Sequence, residues 1–459
     1  LKLTIYGAAE EVTGSCYLIE CGTKKILLEC GLFQGGREQE RRNWDDFPFA
    51  IAQLDAVIIS HAHIDHSGRV PLLVKRGYAG PIYTHPACKA LCDIMLQDSA
   101  YLHTKDAEWE NKRRKNTEEY VEPLYDVDDA LSAIELFEGT QYGVVEEILP
   151  GVRVRFSDAG HILGSSIVEL WHEEAGKTSK LVFSGDLGYR DSPVMRDPAI
   201  IESADLVLME STYGDRQHRS YASTLTELGE VFEAARAGGG NILIPAFAVG
   251  RTQDLLYLLS QHYQEWGLDN WTVFLDSPMA IRSTETYAQF QDLYDVPLFN
   301  RAGDTPGLPN LLLTRTTEES IAINRIRSGA IIVAGSGMCT GGRIRQHLKT
   351  NISRAETHVV IIGFQAYGTL GRKLVDGAET INLWGDEYPV RASIHTVGGL
   401  SAHGDQADLL QWYGHFEGTP PIVLVHGEQS AQQTLVHELH KQYGVTAQIG
   451  KYAQSITVG

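Results

Sequence analysis

"HAHIDH", residues 61–66, sets four potential metal ligands into six positions. Three are histidines and one is an aspartate. The stretch follows "DAVIIS" (55–60), which reads as a buried strand. Residues two apart on an extended segment point the same way, so His61 and His63 can grip one cation. Where the chain turns, Asp65 and His66 can face a second. Imidazole and carboxylate donors suit zinc. Further donors follow other strand patterns: His161 in "SDAGHILGS", Asp186 in "FSGDLG" and His426 in "LVHGE". Loops at strand ends are where scaffolds gather functional side chains. A carboxylate such as Asp186 can bridge two metals about 3.5–4 Å apart. A lone histidine after a strand is ordinarily a polar loop residue. Four donors in six residues are not explained that way.

The surrounding chain alternates strand and helix patterns. "KLTIYG", "SCYLIEC" and "KKILLEC" read as an antiparallel start, with a turn at Gly22-Thr23. Residues 87 to about 145 are polar and helical and contain the basic run "NKRRKN" (111–116). That run is either a solvated helix face or a contribution to substrate binding. From about 205 the rhythm becomes plain α/β alternation, with "ADLVLME", "NILIPAF", "WTVFLDS", "GAIIVAG" and "HVVIIGF" as strands. Such alternation implies a parallel sheet flanked by helices. At 459 residues the chain is long enough for two or three domains.

Composition narrows the setting. Six cysteines, with no CxxC pair, read as free thiols in a reducing cytoplasm. No run of about 18 apolar residues occurs, so no membrane span is expected. The opening "LKLTIYG" reads as a strand rather than a signal peptide, although a processed precursor stays open. A net charge of −20 argues against wrapping nucleic acid with the whole surface, but leaves room for a local basic groove.

"HAHIDH" together with "LMESTYGDR" (208–216), "PAFAVGRTQDLL" (245–256), "DSPMA" (276–280), "AGSGMCTGGRI" (334–344), "SAHGDQ" (401–406) and "VHGE" (425–428) resembles the β-CASP subgroup of the metallo-β-lactamase superfamily. The resemblance covers essentially the whole chain, with its motifs in order. It implies an αββα metallo-β-lactamase sandwich, residues 1–207 and 391–459. An α/β β-CASP domain of parallel-sheet type, 208–390, would be inserted and would cap the active site. It also implies two zinc ions per chain. His61, His63 and His161 would hold the first. Asp65, His66 and His426 would hold the second, with Asp186 shared. One departure stands out: "LLECG" carries Glu29 where the subgroup usually has Asp.

The implied activity is a zinc-dependent ribonuclease, working endonucleolytically on single-stranded RNA by a two-metal hydroxide mechanism. It would leave 5′-phosphate and 3′-hydroxyl ends. His403, oriented by Glu210, would protonate the departing sugar oxygen. Asp65 would also act in catalysis. Ser401, Ser336, Gly337, Arg343 and Arg345 are the expected substrate-binding residues. The run "GSGMCTGG" (335–342) is either a phosphate-binding nest or a tight strand-to-helix turn. Arg216, Arg219 and Arg251 are further candidates for tracking the RNA backbone. A 5′-to-3′ exoribonuclease or a DNA-directed nuclease shares these residues. A small-molecule hydrolase fits less well, because of the inserted domain and the Glu210–His403 pair. An inactive RNA-binding scaffold would have lost ligands that this chain keeps. Homodimerisation stays open.

Overall fold

The computed structural model describes residues 1–113, 120–294, 296, 298–299, 307–363, 365–366 and 368–458. Residues 114–116 of the basic run lie outside them. The chain divides into two compact units. The first comprises residues 1–192, 196–217 and 403–459; the second comprises 193–195 and 218–402.

Two seven-stranded sheets build the first unit. One runs in the order Ser455–Thr457, Lys2–Ile5, Tyr17–Cys21, Lys24–Leu28, Ala56–Ile58, Ile82–Thr84, Phe137–Gly139. The other runs Gln448–Ile449, Ile422–Leu424, Leu206–Met209, Lys177–Phe183, Ser166–Glu174, Val152–Asp158, Val145–Leu149. Each sheet sends alternate apolar residues into a shared core. Leu3, Ile5, Ile26 and Ile58 come from the first, and Phe156, Leu170, Phe183 and Val423 from the second. Period-two alternation places them there. Tyr17 and Phe183 meet across this core edge-to-face, ring centroids 5.5 Å apart. Such a pair adds roughly 0.5–1.5 kcal/mol beyond area burial.

The outer faces are covered as well. Leu27 and Val57 point away from the sandwich core, yet both are fully buried. On the second sheet, Val182, Val207 and Ile422 pack against helices Gln406–Tyr413 and Gln429–Tyr443 through Leu409, Trp412, Leu435 and Leu439. This is the expected αββα sandwich.

The second unit is the expected parallel-sheet domain. Its six strands run Leu311–Leu313, Thr272–Leu275, Ala330–Ala334, Ile242–Pro245, His358–Ile361, Ser393–Thr396, and every pairing is parallel. Both faces are covered, one by a cluster around Leu255, Leu259 and Ile281, the other by one around Ile344, Leu348 and Ile352. Two-sided burial is why these strands read as unbroken apolar runs. The units change over at 217/218 and 402/403, whereas the sequence placed junctions at 207/208 and 390/391. Two strands lie across or beyond the sequence-based junctions. Leu206–Met209 pairs in the first unit's sheet, and Ser393–Thr396 pairs with His358–Ile361 in the second's.

Candidate metal centre

Parallel pairing aligns the ends of strands, and the polar residues cluster where those ends meet. Glu29 and His61 follow two neighbouring parallel strands, Lys24–Leu28 and Ala56–Ile58. Asp186, Glu210 and His426 follow three more, Lys177–Phe183, Leu206–Met209 and Ile422–Leu424. The hexapeptide does what its spacing implied. His63 is still extended, and a short helix, Ile64–Ser67, begins immediately after it. His61 and His63 therefore share one direction, while Asp65 and His66 project from a helical turn. Gly31 makes room for that turn: a Cβ there would lie 1.6 Å from the carbonyl oxygen of Asp65.

Two groups of donor atoms result. In the first, His63 Nδ1 lies 3.2 Å from His61 Nε2 and 3.1 Å from His161 Nε2. Asp186 Oδ2 lies 3.4 Å from His61 Nε2 and 3.7 Å from His161 Nε2. In the second, His66 Nε2 lies 3.2 Å from His426 Nε2 and 3.3 Å from Asp186 Oδ1. Asp65 Oδ2 lies 3.4 Å from His426 Nε2. Asp186 thus offers one oxygen to each group.

These distances pass a simple test of fit. Ligands on a tetrahedron with zinc–nitrogen bonds of 2.0–2.1 Å sit about 3.3–3.4 Å apart. Hydrogen bonding alone cannot explain the first group, because His63 Nδ1 can share only one proton between two facing nitrogens. Both four-residue sets, His61–His63–His161–Asp186 and the trio Asp65–His66–His426 with Asp186 at its edge, are arranged to hold a cation.

Electrostatics agree at the three histidines of the first group. Burial pushes His61 down to about 3 and His63 to about 4, and holds His161 well below its ordinary value. Neutral imidazole is the ligating form. Burial would raise the Asp186 carboxyl, but the surrounding imidazoles, led by His426 and His66, hold it well below the usual range. Burial opposes protonation of His66, yet the carboxylates of Asp186 and Glu29 raise it well above normal.

A second layer fixes the ligands. Glu29 accepts from Ser60 N at 2.6 Å and Ser60 Oγ at 2.9 Å, and its other contact is His66 Nδ1. Ser60 Oγ also meets His61 Nδ1 at 3.0 Å, and Thr212 Oγ1 meets His426 Nδ1 at 3.0 Å. Such partners orient ligating rings. The sequence flagged Glu29 only as a departure and did not single out Ser60 or Thr212. Their positions beside ligand-bearing strand ends are the signal available.

Glu210 and His403 adjoin this cluster. His403 Nδ1 lies 3.2 Å from Glu210 Oε1 and 3.9 Å from Asp186 Oδ2. Glu210 is pinned by Leu187 N at 2.7 Å and Thr212 N at 3.2 Å. Burial works against a charged His403, but Glu210 first and Asp186 next raise it to about 9.

The expected substrate-binding residues Ser336, Gly337, Arg343 and Arg345 belong to the second unit, as does Ser401. Ser336 Oγ accepts from Thr340 N (3.1 Å) and Gly341 N (3.2 Å), closing the glycine-rich segment into a turn. The ring of Phe247 lies where a side chain at Gly337 would start. Arg343 donates to Asp276 Oδ1 at 2.7 Å and to the carbonyls of Thr314 and Arg315. Among the other arginines, Arg216 pairs with Asp215, Arg219 with Glu227 and buried Arg251 with Asp254. All six cysteines are free and buried, as expected.

Comparison with known families agrees with the fold. Residues 9–246 match the metallo-beta-lactamase superfamily, 252–374 the Beta-Casp domain, and 387–449 the Zn-dependent metallo-hydrolase RNA specificity domain. The chain belongs to the β-CASP group of the metallo-β-lactamase superfamily. It is a metal-dependent hydrolase of that family. It is similar to a ribonuclease of Thermus thermophilus, 39% identical over 94% of both chains. It is also similar to the transcription termination factor FttA of Methanocaldococcus jannaschii, 29% identical over 94% of this chain and 67% of that one. The same factor from Methanothermobacter thermautotrophicus is 30% identical over 97% and 70%. A crystal structure of an Enterococcus faecalis protein of unknown function shares the fold, with a TM-score of 0.54 at 12% identity over 99% of each chain. Among the described residues, no helix is long and apolar enough to cross a membrane.

Proposed function

We propose that this chain is a zinc-dependent ribonuclease, that it holds two zinc ions, and that it cuts single-stranded RNA endonucleolytically to leave 5′-phosphate and 3′-hydroxyl ends. The observation that carries the reading is the Glu210–His403 pair, seated 3.9 Å from the Asp186 carboxylate at the centre of the ligand set. The similarity to a ribonuclease and the match to an RNA specificity domain support RNA as substrate.

His61, His63, His161 and Asp186 would hold one zinc, and Asp65, His66, His426 and Asp186 the other. Zinc there supplies activation of water near neutral pH and neutralisation of charge on the phosphoryl oxygens. The remaining work belongs to side chains. Water forms the new bond to phosphorus, and the bond to the 3′ oxygen breaks. His403 hands its proton to that departing oxygen. Glu210 fixes the ring through Nδ1 and keeps it protonated. Asp65 orients the attacking water. Ser401, Ser336, Gly337, Arg343 and Arg345 bind phosphate or sugar, with the Arg343 guanidinium also held by Asp276.

In this reading the metallo-β-lactamase domain comprises 1–207 and 391–459 and the β-CASP domain 208–390. The test is cleavage of a labelled RNA oligonucleotide with and without a chelator. Shortened fragments that vanish with chelator and return with zinc are expected. Intact RNA in zinc, with hydrolysis of a thioester or lactam instead, would overturn the reading.

A further inference from the structure

The second unit presents an aromatic side chain where chain geometry and water both disfavour one. Strands Thr380–Leu383 and Asp386–Pro389 form a hairpin closed by two residues, Trp384 and Gly385. Both have positive φ, +54° and +94°. Two-residue turns of this kind favour Asn, Asp or Gly at the first position. A tryptophan there is a conformational outlier. It is also 55% exposed. An observed outlier of this kind is a pointer to function.

Its surroundings are cationic. Helix Ile344–Asn351 carries Arg345 and Lys349 one turn apart. The Arg345 guanidinium lies 4.7 Å from the Trp384 ring centroid, and Lys349 Nζ lies 5.6 Å from it. Lys349 is also 5.8 Å from the ring of Tyr388. Among the described residues neither cation has a carboxylate within ion-pair distance, although the chain carries a net charge of −20. Arg216, Arg219, Arg251 and Arg343 are all paired. The hairpin's own carboxylates are engaged locally, Glu387 with Thr380 Oγ1 at 2.7 Å and Asp386 with the Tyr388 hydroxyl at 3.4 Å.

We propose that Trp384, Arg345 and Lys349 form a platform for single-stranded RNA, on which a base stacks against Trp384 while the two cations take adjacent phosphates. An aromatic face beside unpaired cations is the sequence-tolerant way to hold a single strand. The proposal rests on the ribonuclease reading for its choice of RNA.

Binding of a fluorescein-labelled 20-nucleotide RNA to the full chain, followed by anisotropy across a salt series, tests it. Trp384→Ala weakens binding about tenfold or more, the scale of one base–aromatic stack. Trp384→Phe recovers part of that loss. Arg345→Gln with Lys349→Gln lowers the salt slope by about 1.4, for two single-strand phosphates at about 0.7 each. Thermal melting of each variant keeps loss of binding separate from loss of fold. Unchanged affinity and slope in folded variants overturn the platform. So does a variant that keeps RNA affinity and instead changes the oligomeric state, which makes the patch a contact between copies. Wild-type protein that binds RNA through Trp384 without cutting it retains the platform and defeats only the ribonuclease reading.

Discussion

Glu29 grips the Nδ1 side of His66 while Nε2 of the same ring faces Asp186 Oδ1 at 3.3 Å. Glu29 does this from a left-handed backbone conformation, φ +66°, and from full burial. Both features are costly for a glutamate, of order 1–2 kcal/mol for the conformation alone. The carboxylate fixes which nitrogen of His66 is offered to a metal. Glu29→Gln keeps the shape and removes the charge. It should lower zinc affinity about 10–100-fold, as loss of a ligand's orienting partner does. Zinc titration against a competing chelator measures this, and unchanged affinity would detach Glu29 from the metal centre.

Asp186 is the joint between the two donor groups, one oxygen toward each. Asp186→Ala should therefore deplete both zinc ions rather than one. Elemental analysis of the purified variant gives the count, and full occupancy would end the bridging role.

His403 binds no metal in this account. His403→Ala should keep both zinc ions, melt like wild type and cut RNA about 10²–10⁴-fold more slowly, the usual cost of a lost general acid. The deficit should shrink on a nitrophenyl phosphodiester, whose leaving group needs no proton. An equal deficit on both substrates would make His403 a substrate-binding residue.

The centre was legible because its donors are concentrated. Four lie in one hexapeptide, and the others each follow a strand run that is plain in the sequence. Helical and parallel-strand periodicity likewise conveyed the second unit's α/β order. Pairing partners were harder to read. "VRASIHTV" has a strand pattern, but nothing in it says that Ser393–Thr396 completes the six-stranded sheet. Arg343 and Arg345 look equivalent two residues apart, yet a helix turns them in different directions. One meets buried Asp276 and the other an exposed Trp384. Charge alone does not say which of the two will engage a buried carboxylate.

Asp276 carries a stability prediction. Its carboxylate accepts from Arg343 (2.7 Å), Thr314 Oγ1 (2.7 Å) and Ser320 Oγ (2.6 Å), and meets His347 Nε2 at 2.6 Å. Burial would raise its pKa, but these partners, led by His347, lower it from 3.8 to about 2. A depressed carboxylate stabilises the fold above its unfolded pKa, and that contribution is lost as pH falls toward the folded value. Asp276→Ala should destabilise the protein by about 3–5 kcal/mol at neutral pH, the scale for breaking a buried ion pair. The gap from wild type should narrow between about pH 4 and 2. Denaturant unfolding at several pH values checks this, and a gap that is constant with pH would contradict it.

The most direct test of the account is the chemistry of the cut ends. Zinc-loaded protein is incubated with 5′-labelled RNA, and the fragments are resolved by mass spectrometry. Attack by water with the 3′ oxygen leaving predicts 5′-phosphate and 3′-hydroxyl termini, with one oxygen from labelled water on the new 5′-phosphate. A 2′,3′-cyclic phosphate, or cleavage that persists after both zinc ions are stripped, would contradict it.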